Sequence, residues 1–163
     1  MARANALPPA RLLYETRVSQ GPFHSSGTLA VRDEGGVLEA TLTGAFGSPL
    51  ARYSAGALRG EGLRPVVISP DQMRWLLAGV WKDDSPRVEG IDGGDALLRW
   101  RGSDLVEGVL DIATSRFKSL EISRAEGKIL ATYSGAADAW PRRIELEDLG
   151  SGGKLKLTLI AAE

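Results

Sequence analysis

Cysteine is absent from the 163 residues, which excludes disulfides, thiolate metal sites and a cysteine nucleophile together. Histidine occurs once, as His24 in the run HSS, so an imidazole pair for a metal is unavailable, and a lone loop histidine is ordinarily solvated. No serine stands in a G-x-S-x-G elbow, which argues against triad hydrolysis. An excess of one charge is lacking too: 20 Lys and Arg face 21 Asp and Glu. They are scattered rather than gathered in the basic stripe that neutralises phosphates, so nucleic acid is not an expected partner. No apolar run approaches the roughly 20 residues of a membrane-spanning helix. The opening MARANALPPARLL also lacks the apolar stretch of about 7–15 residues found in secretory signals. Two readings of that opening stand: a cytoplasmic protein, or a mature exported domain whose export segment has been replaced by a start Met.

A hydrophobic content of 43% over this length suffices for one core without staples. A single domain over 1–163 is expected, with 1–10 as a flexible N-terminal segment. Period-two alternation then dominates. Leu29 and Val31 share one face of Ser26–Arg32; Leu38, Ala40 and Leu42 share one face of Val37–Thr43, with Glu39 and Thr41 opposite. These are half-buried strands joined by DEGG, a hairpin connection. The second half repeats the pattern six times, in ALLRWR, LVEGVLDI, KSLEIS, KILATY, RIELED and KLKLTL. AEG at 125–127 and GSGG at 150–153 separate successive runs, so an antiparallel meander of nine or ten strands is expected.

One segment has a different period. Ser69 can cap a helix, Pro70 suits its first position, and Asp71 complements its positive end. Met73, Leu76, Leu77 and Val80 follow at i, i+3, i+4 and i+7, one apolar stripe. Trp75 and Trp81 belong either to the core or to a ligand pocket. So many strands with one short helix leave concave surface with little to fill it, the geometry of a mouth for apolar ligands.

Candidates for chemistry are weak. Asp83 and Asp84, and Asp92 and Asp95 around two glycines, read as solvated turn carboxylates and match no calcium-loop spacing. GEG at 60–62 is too short for a phosphate fingerprint. No enzyme is expected. What stands out is LTGAFGSPLARY, 42–53, where Phe46 sits between Ala45 and Gly47 in a connection. Its ring either folds back into the core or stands in solvent.

Three stretches, in this order, resemble the LolB family of outer-membrane lipoprotein receptors within the wider LolA/LolB carrier fold. YETR at 14–17 resembles the start of the family's first strand, and LTGAFGS at 42–48 its strand-loop motif L-T-x-P-L-G-S. WPRRIELEDLGSGGKLKLTL at 140–159 resembles its closing hairpin. The resemblance implies a mainly β fold: an incomplete curved antiparallel barrel, or half-barrel, with a short helical lid over an apolar cavity. It also implies that Phe46, with Ala45 and Gly47, occupies the protruding loop that passes acyl chains to the membrane. Ala45 departs from the family's proline and Phe46 from its leucine, only one helix is legible, and the lipidated cysteine is missing.

The lipid-cavity candidates that follow are Met73, Trp75, Leu76, Leu77 and Val80 from the helix, with Leu98, Trp100, Leu110, Ile112, Leu120 and Ile122 on inward strand faces. The implied partners are acylated lipoproteins, a LolA-like periplasmic carrier and the inner leaflet of the outer membrane. The implied location is the periplasmic side of that membrane, with a lipid anchor in the native protein. A monomer is expected, and no cofactor, metal or nucleotide is implied. The alternative is a non-enzymatic cell-envelope module of the same half-barrel fold that docks another protein, lipid or polysaccharide.

Overall fold

A computed structural model describes residues 10–82, 85–102, 104–125, 127–137, 139–150 and 152–163. Asp83 and Asp84, and residues 1–9 of the expected N-terminal segment, lie outside them; so do one residue of AEG and one of GSGG. The described residues form thirteen strands and one helix. The strands are β1 (Ala10–Gln20), β2 (Phe23–Glu34), β3 (Val37–Gly44), β4 (Pro49–Ser54), β5 (Ala57–Arg59), β6 (Val66–Val67), β7 (Arg87–Asp92), β8 (Asp95–Arg101), β9 (Leu105–Asp111), β10 (Arg116–Arg124), β11 (Gly127–Ala137), β12 (Trp140–Asp148) and β13 (Gly153–Ala162). The helix α1 (Pro70–Ala78) falls between β6 and β7.

All thirteen strands make one antiparallel sheet in the order β6-β5-β4-β3-β2-β1-β13-β12-β11-β10-β9-β8-β7, open at β6 and β7. Two meanders, β1–β6 and β7–β13, are joined where β1 pairs with β13 from Leu12↔Ala162 to Ser19↔Lys154, with a bulge at Leu13/Tyr14. This is the expected half-barrel with a helical lid. The strand count exceeds the expected nine or ten because β5, β6 and β7 carry no clean alternation.

Alternation fixes which face turns inward. Leu12, Tyr14 and Val18 of β1, Leu29 and Val31 of β2, and Leu38, Ala40 and Leu42 of β3 are buried and join Ile144, Leu146, Leu157 and Leu159 in the core. Outward positions carry charge, as in Arg32 and Arg52 flanking Glu39 at 3.5 and 3.7 Å. Exposed pairs of this kind contribute little, roughly 0–1 kcal/mol.

The helix lies on the concave face. Ser69 Oγ accepts the Gln72 N–H at 3.2 Å, Pro70 opens the first turn, and Gly79 ends the helix in the left-handed region at φ +67°. A Cβ at Gly79 would also stand 2.9 Å from Pro141 Cγ, so both conformation and space require glycine. Val80 therefore falls beyond the helix, correcting the expected stripe. Its N–H still bonds the Trp75 carbonyl at 3.0 Å.

Polar anchors hold α1 down. Arg74 donates from Nε to both carboxylate oxygens of Asp33 at 2.9 Å, from Nη1 to Asp71 at 2.9 Å and from Nη2 to the Gly36 carbonyl at 2.8 Å. Gln72 donates to Asp104 at 2.7 Å. Tyr133 donates to the Leu76 carbonyl at 2.6 Å, and Tyr53 to the Ile68 carbonyl at 2.5 Å. Burial pushes the Tyr53 hydroxyl up to about 12 and raises Tyr14 and Tyr133 further. Tyr14 differs from the other two: its buried hydroxyl has no hydrogen-bond partner among the described residues.

These tyrosines yield a first prediction. A hydroxyl whose folded pKa is raised favours the neutral form, so its stabilisation is complete below the ordinary value of 10.0 and fades as pH climbs toward about 12. Urea stability is expected to be flat up to that lower value and to fall above it. Tyr53→Phe should cost about 1 kcal/mol at neutral pH by orphaning the Ile68 carbonyl, whereas Tyr14→Phe should cost nothing or stabilise. Equal losses in the two variants would contradict this assignment.

Candidate functional site

The cavity forms where sheet curvature brings β5 and β6 toward β12 and β13 beneath the first turns of α1. Its walls are Val18 of β1, Leu58 and Val66 of β5 and β6, Leu63 and Ile68 of the segments flanking β6, Met73 and Leu76 of α1, Ile129 of β11, Leu146 of β12 and Leu155 of β13. It encloses about 60 Å³. Preformed small-molecule pockets are far larger, roughly 300–1,000 Å³, so this volume takes a few methylene groups. A smaller void of about 10 Å³ lies between Leu77, Tyr53 and the inward faces of β2, β3, β12 and β13. Any larger apolar ligand therefore requires α1 to rise from the sheet.

Strand direction places the mouth. β1 ends at Gln20 and β2 begins at Phe23, β3 ends at Gly44 and β4 begins at Pro49, and β12 ends at Asp148 and β13 begins at Gly153. Because neighbours are antiparallel, these three turns and the β5–β6 connection share one end of the half-barrel. The polar residues around the cavity, Ser19, Gln20, Glu147, Asp148 and Lys154 at strand ends and Arg64 in the β5–β6 connection, stand on that same side. Arg64 donates its backbone N–H to Gln20 Oε1 at 2.7 Å, which ties the β5–β6 connection to the rim.

Phe46 projects from this rim. The turn is closed by Gly44 N–H to the Ser48 carbonyl at 2.8 Å and Gly47 N–H to the Gly44 carbonyl at 3.0 Å. Gly47 adopts φ +78°, a conformation glycine takes without strain. Ala45 and Gly47 are exposed beside it, and the Phe46 ring has a relative exposure of 101%. Of the two positions open to the ring, the structure takes the solvent-facing one.

The other candidates separate into groups. Met73 and Leu76 line the cavity, and Leu77 lines the smaller void. Trp75 is half-buried and meets the buried Trp81 edge to face at 4.9 Å. Val80 is half-buried beyond the cap. Trp100, Leu120 and Ile122 are buried in the core, Trp100 lying 5.8 Å from Phe117, while Leu98 and Leu110 are half-buried. None of these five strand residues lines the cavity. Ile112 does not face inward: it follows β9 in a turn and is 47% exposed. Thr114 bonds the Asp111 carboxylate at 2.7 Å there, ending the alternation.

The polar candidates serve the surface. His24 lines a shallow outer cleft with Arg17, Ser26 and Lys156. Asp95 pairs with Lys118 at 2.9 Å, and Asp92 is exposed beside the β7–β8 turn. Among the described residues no group of three or more His, Asp or Glu could hold a metal. Sequence reasoning missed Val18, Leu58, Leu63, Val66, Ile129, Leu146 and Leu155 as cavity walls. Leu146 and Leu155 are visible as inward positions of RIELED and KLKLTL, but nothing local marks them as lying under the helix.

No protein-family model matches the chain, and no curated protein matches it in sequence. Its fold is similar to a crystal structure from Vibrio parahaemolyticus described provisionally as an outer membrane lipoprotein-sorting protein domain. The TM-score is 0.51 with 12% identity, over 95% of this chain and 84% of that one. At that identity the likeness is one of fold.

The cavity walls yield a second prediction. Leu76, fully buried between helix and sheet, touches both the core and the cavity. Leu76→Ala should lower stability by about 2–5 kcal/mol, measured by urea denaturation, and should strengthen binding of a small apolar fluorophore. An unchanged fluorophore affinity would show that the cavity is closed to ligands at this position.

Proposed function

We propose that this chain is a LolB-like lipoprotein receptor, which takes the acyl chains of lipoproteins into the space between α1 and the sheet and delivers them to the outer membrane. The observation that carries this reading is the fully exposed Phe46 on the same rim as the mouth of an apolar cavity. A tight turn gains no core packing from such a ring, and water gives it no favourable contact. In the acyl region of a bilayer its burial is worth about 1.5–3 kcal/mol. The fold it shares with a structure described as a lipoprotein-sorting domain supports the same reading, as does the resemblance in LTGAFGS.

The receptor works by difference. Acyl chains bury roughly 0.8 kcal/mol per CH₂, so a perfectly complementary pocket would not release them. A cavity of about 60 Å³ must be enlarged against the anchors of Arg74, Gln72, Tyr53 and Tyr133. Part of the binding energy is thus offset by lifting the lid, and closure of the lid drives release. In this reading a LolA-like periplasmic carrier supplies the cargo, the inner leaflet of the outer membrane accepts it, and no cofactor takes part. The chain then acts on the periplasmic side of that membrane, held by a lipid anchor in the native protein.

The small cavity favours a second reading, a non-enzymatic envelope module that docks a protein, lipid or polysaccharide and whose interior is simply core. One experiment separates the two. Transfer of a fluorescent triacylated lipoprotein from a loaded carrier into liposomes is compared for wild type and Phe46→Glu at equal folded concentration. Wild type should transfer, and the variant should accept cargo yet partition to liposomes roughly 10–100-fold more weakly, the equivalent of one lost ring insertion. Transfer undiminished by Phe46→Glu removes the role of the ring. Failure of both proteins to accept cargo leaves the docking module.

A further inference from the structure

The sheet ends at β7, whose outer N–H and C=O groups face no further strand among the described residues. An edge of six residues is a template for another chain unless it is blunted. β7 reads RVEGID, and its two aliphatic residues are conspicuously bare: Val88 is 59% and Ile91 70% exposed. A register shift between Val88 and Gly90 marks a bulge. Across β8, Val88 lies opposite Leu98 and Ile91 opposite Ala96, both on the concave face, whereas Arg87 lies opposite Arg99 and Asp92 opposite Asp95.

Each charged end of β7 therefore has a like charge as its inner neighbour. Arg99 is already engaged by Glu89 at 3.7 Å and Glu107 at 3.1 Å, and Asp95 by Lys118 at 2.9 Å. Arg87 and Asp92 have no ion-pair partner among the described residues. Like charges directly opposite are unfavourable, and an opposite charge on the open side would offset them.

We propose that β7 pairs antiparallel with β7 of a second copy about a two-fold axis between Glu89 and Gly90. That register sets Arg87 against Asp92 and Val88 against Ile91 of the other copy, twice each. Glu89 meets Gly90, which has no side chain, so no like charges stand directly opposite, and each Glu89, diagonal to the other, keeps its own Arg99 at 3.7 Å. The bulge makes the register possible. In an unbroken strand Val88 and Ile91 would point to opposite faces, but the extra residue puts both on the concave face and both charged ends on the convex one. The contact covers the exposed aliphatic pair and closes the edge, as an isologous interface does. It departs from the expected monomer yet leaves the cavity free, since four strands separate β7 from β12. The proposal does not depend on the lipoprotein reading.

Sedimentation velocity across the micromolar to sub-millimolar range tests it. Wild type should show a reversible monomer–dimer equilibrium. Arg87→Asp alone and Asp92→Arg alone should each weaken the dimer by roughly tenfold or more, because two symmetry-related attractions become repulsions. Mixing the two single variants should restore association, because each all-acidic edge then faces an all-basic one and both cross-strand contacts again join opposite charges. The double exchange within one chain should restore it too. Both positions are exposed, so folding is unaffected, and circular dichroism checks this. A wild type that stays monomeric, a dimer indifferent to the single reversals, or reversals that mixing does not rescue would each overturn the proposal.

Discussion

Everything in this molecule depends on the pairing of β1 with β13. It seats both ends of the sheet-forming chain in the middle of the sheet and drives the middle of the chain to the two edges, β6 and β7. The segment from Ile68 to Pro86 must then travel from one edge to the other. A curved sheet offers the concave face as the short route, so a helix placed in that segment becomes a lid by topology. The apolar face of α1, Met73, Leu76 and Leu77, needs only to be compatible with the place the connection assigns it.

The lid is held by two kinds of force with opposite consequences. Apolar packing of Leu76 and Leu77 resists water but tolerates an acyl chain as a substitute. The polar anchors do not. Arg74 and Asp33 are largely buried, and separating them strands charge at a cost of about 3–5 kcal/mol. The Tyr53 and Tyr133 bonds go to backbone carbonyls at either end of the helical segment. The cavity opens at the helix N-terminal side, near Met73, so raising that end would part Arg74 from Asp33 and Gln72 from Asp104, and these anchors set the cost of enlarging the cavity. Tyr133, bound near the C-terminal end of α1 at Leu76, is the anchor farthest from that opening.

Much of this was legible in the sequence where one local rule acts alone. The hairpin of β2 and β3 follows from the alternation of Leu29, Val31, Leu38, Ala40 and Leu42, and the helix start from Ser69, Pro70 and Asp71. Short strands were not: ALR and VV are too brief to show a period, and in RVEGID the bulge sets Val88 and Ile91 on one face at a spacing of three. The cavity was the hardest part to read. Inward residues of β8, β9 and β10 are as apolar as those of β12 and β13, and only the curvature of the sheet decides which set lies beneath α1. Leu98, Trp100, Leu110, Leu120 and Ile122 obey the right rule on the wrong side of the half-barrel. Ile112 extends a period-two pattern past the turn that stops it.

Phe46 shows why a rim can act where a core cannot. A fully exposed ring contributes nothing to core packing, and in the proposed reading it is the acyl phase of a membrane that gives Phe46 its use. The turn holding it is closed by two backbone bonds and a glycine at positive φ, which would lower the entropy lost if the ring entered another medium. The mouth of the cavity lies on the same rim. On the proposed reading, an acyl chain leaving beneath α1 would emerge beside the inserted ring, and its transit would expose little apolar surface to water. That proximity, rather than the depth of the cavity, is what would make delivery fast.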